Sequence, residues 1–114
     1  MENLVYNELR IRGFNVDVGV VPVVTKGEDG RQQRASLEVD FICNLGSKRY
    51  YIQSAYRMES EEKLRQERAS LLRVDDSFKK IIILGEECPV TRDESGITTI
   101  SIYDFLLKDN SLEL

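Results

Sequence analysis

With 114 residues, the chain is long enough for one domain with a core of its own. Its 20 acidic and 16 basic side chains leave a net charge of -4, which disfavours a protein that holds nucleic acid by overall positive charge. The lack of histidine excludes histidine catalysis and histidine metal ligands, and two cysteines are too few for a four-cysteine zinc site. No apolar run approaches membrane-spanning length and no basic leader precedes one, so we expect a reduced, cytoplasmic protein that contacts no membrane.

The N-terminal part predicts a helix, a strand and a loop. Helical spacing of apolar residues predicts a helix over residues 2–12, and Gly13 suits its end. The apolar stripe of this helix comprises Leu4, Val5, Leu9 and Ile11. Alternating valines predict a strand over residues 14–24, in which Pro22 indicates a sheet edge or a bulge. The polar stretch 25–35 is typical of a long exposed hairpin loop.

A second strand, predicted over residues 36–44, carries a polar face and an apolar face. Side chains alternate along a strand, so Val39, Phe41 and Cys43 are expected to share the buried face. Glu38 and Asp40 then share the other face.

A third strand is predicted over residues 48–56, and Gly46-Ser47 is a suitable two-residue turn between it and the second strand. This turn sets a register in which Asp40 lies opposite Gln53 and Glu38 lies opposite Ala55. The two strands therefore bring acidic and amide side chains to one place.

The C-terminal part predicts a helix over residues 60–74, with Ser60 as its N-cap. The unbroken apolar run 81–84 is typical of a strand that is covered on both faces. A last strand over 97–102 and a short helix over 103–107 follow.

The predicted order of elements is helix, three strands, helix, two strands and a short helix. Because a helix connects the third and fourth strands, these strands should be parallel. We therefore expect an α/β fold with a mixed sheet flanked by helices on both faces. It forms a single domain over residues 1–108, followed by a polar tail, 109–114.

This order and the residues at its turning points resemble the PD-(D/E)xK nuclease-like superfamily, which has a restriction-endonuclease-like αβββαβ core. The matching positions are Glu8 on the first helix, Asp40 on the second strand and Gln53-Ser54-Ala55 on the third. Four segments look closer still to the C-terminal domain of bacterial and archaeal AAA+ ATPases: 2–10 (ENLVYNELR), 38–41 (EVDF), 50–53 (YYIQ) and 102–106 (IYDFL). The resemblance implies an N-terminal P-loop ATPase module as partner, and a chain that is part of a longer prokaryotic protein.

The resemblance also implies a degenerate active site. In the superfamily, a carboxylate belongs at the position of Gln53 and a lysine at that of Ala55. With both absent, Glu8, Asp40 and Gln53 are vestigial catalytic positions. We expect a non-catalytic interaction or regulatory module. The alternatives are an active metal-dependent nuclease and a module that binds DNA or RNA without cleaving it.

Two ligand predictions accompany these readings. Glu8, Glu38, Asp40 and Gln53 could converge to bind Mg²⁺ or Mn²⁺ weakly. Alternatively, the same groups only hydrogen-bond to one another, with Glu38 filling the space beside Ala55. Lys26, Arg31 and Arg34 form the predicted contact with a nucleic-acid backbone, or else a solvated loop. The sequence leaves the oligomeric state open.

Overall fold

A computed structural model of the protein describes residues 2–26, 30–55, 61–74 and 77–114. In chain order the elements are α1 (Glu2–Ile11), β1 (Asn15–Lys26), β2 (Gln32–Leu45), β3 (Lys48–Ala55), α2 (Glu61–Leu72), β4 (Lys79–Leu84), β5 (Thr91–Arg92), β6 (Thr98–Ser101), α3 (Ile102–Leu107) and a 3₁₀ helix (Ser111–Glu113). The predicted N-cap of α2, Ser60, lies outside the described residues. No helix in these ranges is both long and apolar enough to cross a membrane.

The six described strands form one mixed sheet in the order β1-β2-β3-β4-β6-β5. The first three strands pair antiparallel, whereas β3, β4 and β6 pair parallel, and β5 is a short antiparallel edge. The parallel pairing of β3 with β4 through α2 is as predicted. The α/β class and the helix-flanked mixed sheet are thus confirmed.

The core lies on both faces of the sheet. One cluster, which we call the α1 face, joins α1 and α3 to the sheet through buried residues such as Leu9, Ile81 and Phe105. The opposite cluster, the α2 face, joins α2 to the sheet through Leu71 and Ile82. Strand β4 contributes to both faces and is buried from Ile81 to Leu84, as its apolar sequence predicts.

Helix α1 ends in a Schellman motif at Gly13. The Phe14 N–H donates to the Leu9 carbonyl at 3.1 Å, the Gly13 N–H donates to the Arg10 carbonyl at 3.0 Å, and Gly13 has φ +92°. Phe14 and Leu9 then pack in the same cluster. This ending makes Arg12 the C-cap residue and fixes where its side chain starts.

The apolar stripe of α1 is narrower than predicted. Val5 and Leu9 are fully buried, but Leu4 and Ile11 are 55% and 79% exposed. Residues four apart lie on one side of a helix, and a single such row reaches the sheet. Leu4 and Ile11 fall outside that row.

The predicted long loop 25–35 is mostly strand. Thr25 pairs with Gln33, and Lys26 pairs with Gln32, so β1 and β2 extend as a two-stranded arm. Polar composition misled the prediction because strand preference depends on pairing more than on intrinsic propensity. Strand β1 lies at the sheet edge, where Pro22 is tolerated, as expected.

The last residues are not a separate polar tail, because Leu112 is 3% exposed and packs into the α1 face. Lys79 Nζ donates to main-chain oxygens of Leu112 and Leu114 at 2.7 and 2.8 Å. The Tyr50 hydroxyl donates to the Glu113 carboxylate. The buried Leu112 side chain and these hydrogen bonds together return this polar segment to the core.

Candidate functional site

The β2–β3 hairpin has the predicted register. Leu45 pairs with Lys48 across the turn, and the ladder runs to the pair Phe41 and Ile52. Gly46 has φ +59°, and positive φ occurs only at glycines among the described residues, which fits a turn with glycine at its first central position. The next positions in this register are Asp40 and Gln53.

At those two positions, hydrogen bonds made by side chains take the place of the backbone-to-backbone hydrogen bonds of the ladder. Gln53 Oε1 accepts from the Asp40 N–H at 2.7 Å. Asp40 Oδ2 accepts from the Ser54 N–H at 2.8 Å and from Ser54 Oγ at 3.1 Å. We call this arrangement the Asp40–Gln53 lock. It ties the two strands together where their ladder ends.

A β-bulge in β2 sets the position of Asp40. Two residues, Asp40 and Phe41, separate Val39 from Ile42, whereas one residue separates their partners on β1. Val39 therefore packs on the α2 face, while Phe41 and Cys43 pack on the α1 face. The prediction that Val39 shares a face with Phe41 is wrong, because the bulge shifts the alternation by one residue.

The lock is largely closed to solvent. Gln53 is 3% exposed, and Ala55 is fully buried among the apolar residues of the α2 face. Asp40 and Ser54 are half-buried. A lysine could not occupy position 55 without displacing core side chains.

Glu8 makes its contacts near the end of α1. Its Oε1 accepts from Arg12 Nε at 3.0 Å, and Glu8 lines a cleft of about 540 Å³ with Leu45 and Lys48, near the β2–β3 turn. The contacts of Glu8 are thus with Arg12 and this cleft, and its predicted convergence with Asp40 and Gln53 stays a prediction.

The described residues of this group do not assemble a site for a divalent cation. Mg²⁺ and Mn²⁺ require several converging oxygen ligands, usually including charged ones. Gln53 Oε1 and Asp40 Oδ2 are already engaged, and no three acidic or cysteine side chains converge in the described ranges. The side chain of Glu38, a further predicted ligand, lies outside the described part of the structure.

The predicted nucleic-acid contacts lie along the β1–β2 arm. Arg31 is exposed just before β2, while the side chains of Lys26 and Arg34 are outside the described part of the structure. The arm sets Lys26 and Arg34 two pairs apart on opposite strands.

Arg12 is an interaction centre that the sequence analysis missed. Nη1 donates to Ser111 Oγ at 2.7 Å, and Nη2 donates to the carbonyls of Lys108, at 3.0 Å, and of Phe105. The guanidinium also lies 4.8 Å from the centre of the Phe105 ring. These contacts, which we call the Arg12 clasp, fasten the end of α1 to the end of α3 and to the terminal 3₁₀ helix. The glycine after Arg12 was the one available signal, since it marks Arg12 as a helix C-cap.

Comparison with known proteins gives a relative and a structural neighbour, while no protein-family model matches the chain. An uncharacterized protein of Haemophilus influenzae is 32% identical over 108 residues, which are 95% of this chain and 23% of that protein. The chain thus spans about a quarter of the length of this relative. The crystal structure of a protein of unknown function, AF1548, is similar with a TM-score of 0.54 at 16% identity, over 96% of this chain and 59% of that one. This likeness concerns the fold alone.

Proposed function

We propose that this chain is a nuclease-fold domain of the PD-(D/E)xK type, with a restriction-endonuclease-like core and a retired active site. It acts as a non-catalytic interaction or regulatory module attached to an AAA+ ATPase in the cytoplasm. The proposal is supported by the order of the sequence motifs and by the agreement of the sheet with the order of elements that the superfamily implies.

The Asp40–Gln53 lock is the observation that carries the non-catalytic part of the proposal. A metal-dependent nuclease needs carboxylates that face a cation and the scissile phosphate. In the lock, Asp40 and Gln53 face the neighbouring strand and satisfy its N–H groups. The group has become a structural bridge between β2 and β3.

The chemistry of the third-strand triplet agrees with this role. Gln53 supplies a neutral oxygen, and Ala55 supplies no charge to a developing anion. Losing one preorganised electrostatic group typically lowers a rate about a hundredfold to a thousandfold. Here a ligand charge and the lysine are both missing from the third-strand triplet.

Calorimetric titration with Mn²⁺ and Mg²⁺ tests the lock as a metal site. The parent chain and two variants, Asp40→Asn and Asp40→Ala, are compared, because asparagine keeps an oxygen for the Ser54 N–H while removing the charge. We expect no saturable binding by the parent into the millimolar range. Millimolar binding by the parent that both variants abolish would contradict the proposal, since it would show a working carboxylate site.

Attachment to an ATPase is tested by sequence. The match covers 23% of the Haemophilus influenzae relative, so most of that protein lies outside it. We expect a GxxxxGK[ST] phosphate-binding loop in that remainder and upstream of Met1 in the gene of this chain. If neither sequence contains such a loop, the ATPase assignment fails while the retired-site assignment stands.

A further inference from the structure

The cleft that Glu8 lines lies where the end of α1, the β2–β3 turn and the segment 109–113 meet, and we call it the α1-end cleft. Its volume of about 540 Å³ is in the range of ligand-binding sites. Its apolar lining includes the buried residues Phe14 and Leu112 and the exposed residues Ile11 and Leu45. The cleft therefore presents apolar surface to solvent.

The end of α1 reverses the usual distribution of polar and apolar side chains. The Arg12 side chain is 13% exposed, whereas its neighbour Ile11 is 79% exposed. Single exposed apolar residues are common on protein surfaces, but Ile11 shares the cleft with Leu45, which is 43% exposed. Leu107, two residues before the lining residue Asp109, is 82% exposed. A group of exposed apolar side chains around one cleft is typical of an interaction surface.

Internal contacts hold the walls of the α1-end cleft in place. The Arg12 clasp joins the end of α1 to the terminal 3₁₀ helix. Lys79 Nζ donates to two main-chain oxygens of the terminal segment, and the Tyr50 hydroxyl donates to the Glu113 carboxylate. A cleft that is already formed costs less conformational entropy when it is filled.

The charged residues of the cleft leave one carboxylate for a partner. Arg12 pairs with Glu8 at 3.0 Å. Lys48 Nζ lies 3.8 Å from the Glu113 carboxylate. Both cations of the described lining thus have an acidic partner within the cleft. The exposed carboxylate of Asp109 forms no ion pair or hydrogen bond with any residue in the described ranges, so it complements a cation from outside.

We propose that the α1-end cleft docks a peptide segment of a partner protein that carries apolar side chains and a lysine or arginine. The apolar side chains cover Ile11 and Leu45, and the cation faces Asp109. Charge complementarity favours such a segment over a second copy of this chain, because two copies of net charge -4 repel each other. The site supplies a contact surface for the interaction module proposed above, and it rests on that proposal for its biological role.

The test is a titration of the isotope-labelled full chain with short peptides, followed by NMR chemical shifts of the backbone amides. The probes are acetylated and amidated peptides of sequence LRLRL, LELEL and SRSRS. We expect LRLRL to bind with a dissociation constant between about 10 µM and 1 mM and to shift the amides of Ile11, Leu45 and Asp109. LELEL should bind about fivefold more weakly or worse, because its charge repels Asp109. SRSRS should bind at least about tenfold more weakly, because it buries no apolar side chain.

Variants separate the apolar contact from the charged one. Ile11→Ser should weaken LRLRL binding about fivefold or more. Val18→Ser is the matched control, because Val18 is 80% exposed and is not among the described lining residues. Asp109→Lys should weaken LRLRL and strengthen LELEL by about threefold each. Asp17→Lys makes the same charge change at an exposed position of β1 and is its control. Circular dichroism and thermal melting confirm that each variant is folded.

Three results would overturn the proposal. The first is no saturable shift of the cleft amides by LRLRL up to about 5 mM peptide. The second is equal weakening by a cleft variant and by its control, which would indicate binding elsewhere or general charge attraction. The third is a dimer in sedimentation analysis that Ile11→Ser dissociates, which would make a second copy the occupant. Each of these results leaves the metal titration of the Asp40–Gln53 lock unaffected, so this inference and the proposed function can fail separately.

Discussion

Replacement of Arg12, the C-cap residue of α1, by alanine should destabilise the domain more than replacement of any charged residue within α1. The guanidinium side chain is 13% exposed and donates to Glu8, Ser111 and two carbonyls at the end of α3. Its removal opens the Arg12 clasp and uncovers the Phe105 ring.

The magnitude follows from the type of contact. Hydrogen bonds to a charged group contribute about 1.5 to 3 kcal/mol each, but four bonds to one guanidinium share a single desolvation cost and do not add. The partly buried ion pair with Glu8, one helical turn away, contributes about 0.5 kcal/mol. We therefore expect Arg12→Ala to lower the free energy of unfolding by about 3 kcal/mol. For a domain of this size the melting temperature should fall by about 10 °C.

Urea unfolding and thermal melting measure this loss. Arg12→Lys should recover less than half of it, because an ammonium cannot reproduce the planar fork of donors. Arg10→Ala, an exposed change on the same helix, should stay within about 0.5 kcal/mol of the parent. A loss below about 1 kcal/mol for Arg12→Ala would refute the reasoning, since it would mean that the clasp contributes no more than a surface pair.

Three further outcomes are expected. Gly19→Ala should cost about 1 to 3 kcal/mol in urea unfolding, because an added Cβ would lie 2.3 Å from Ile42 Cδ1; unchanged stability would show that the side chain moves aside freely. Gln53→Glu should destabilise the domain at pH 7 and regain stability as the pH falls. The substitution puts a second carboxylate beside Asp40 where the β2–β3 ladder ends, and two adjacent carboxylates hold a proton more tightly when folded than when unfolded. The folded state therefore gains stability as the pH falls, and a loss of stability that does not depend on pH would contradict this. Burial raises the pKa of Cys43 to about 12, so a thiol reagent at pH 8 should label half-buried Cys88 first and Cys43 only on unfolding.

The hairpin register could be predicted because one local signal fixes it. Gly46-Ser47 sets the turn, and each pair from Leu45 and Lys48 to Phe41 and Ile52 follows by counting. The bulge could not be predicted in this way. The extra residue of the bulge leaves no mark in the alternation of apolar and polar residues. The face on which Val39 packs is therefore visible only in the structure.

Only the part of the candidate site that lies on the β2–β3 hairpin could be predicted from the sequence. Asp40 and Gln53 meet because they belong to one hairpin. The place of Glu8 depends on a separate helix, and Arg12, one turn later, determines where that carboxylate points. Contacts across 99 positions, such as Arg12 to Ser111, leave no periodic pattern in the sequence.

The Arg12 clasp also affects the order in which the chain folds. Docking of α1 is complete only when Ser111 and Leu112 reach it, so this helix waits for residues about a hundred positions later in the chain to be synthesised. Closing so long a loop is slow, and until then the apolar row of Val5 and Leu9 lacks part of its cover. A nascent chain at this stage would expose an apolar helix face, so chaperone binding or aggregation competes with folding until residues 111 and 112 have docked.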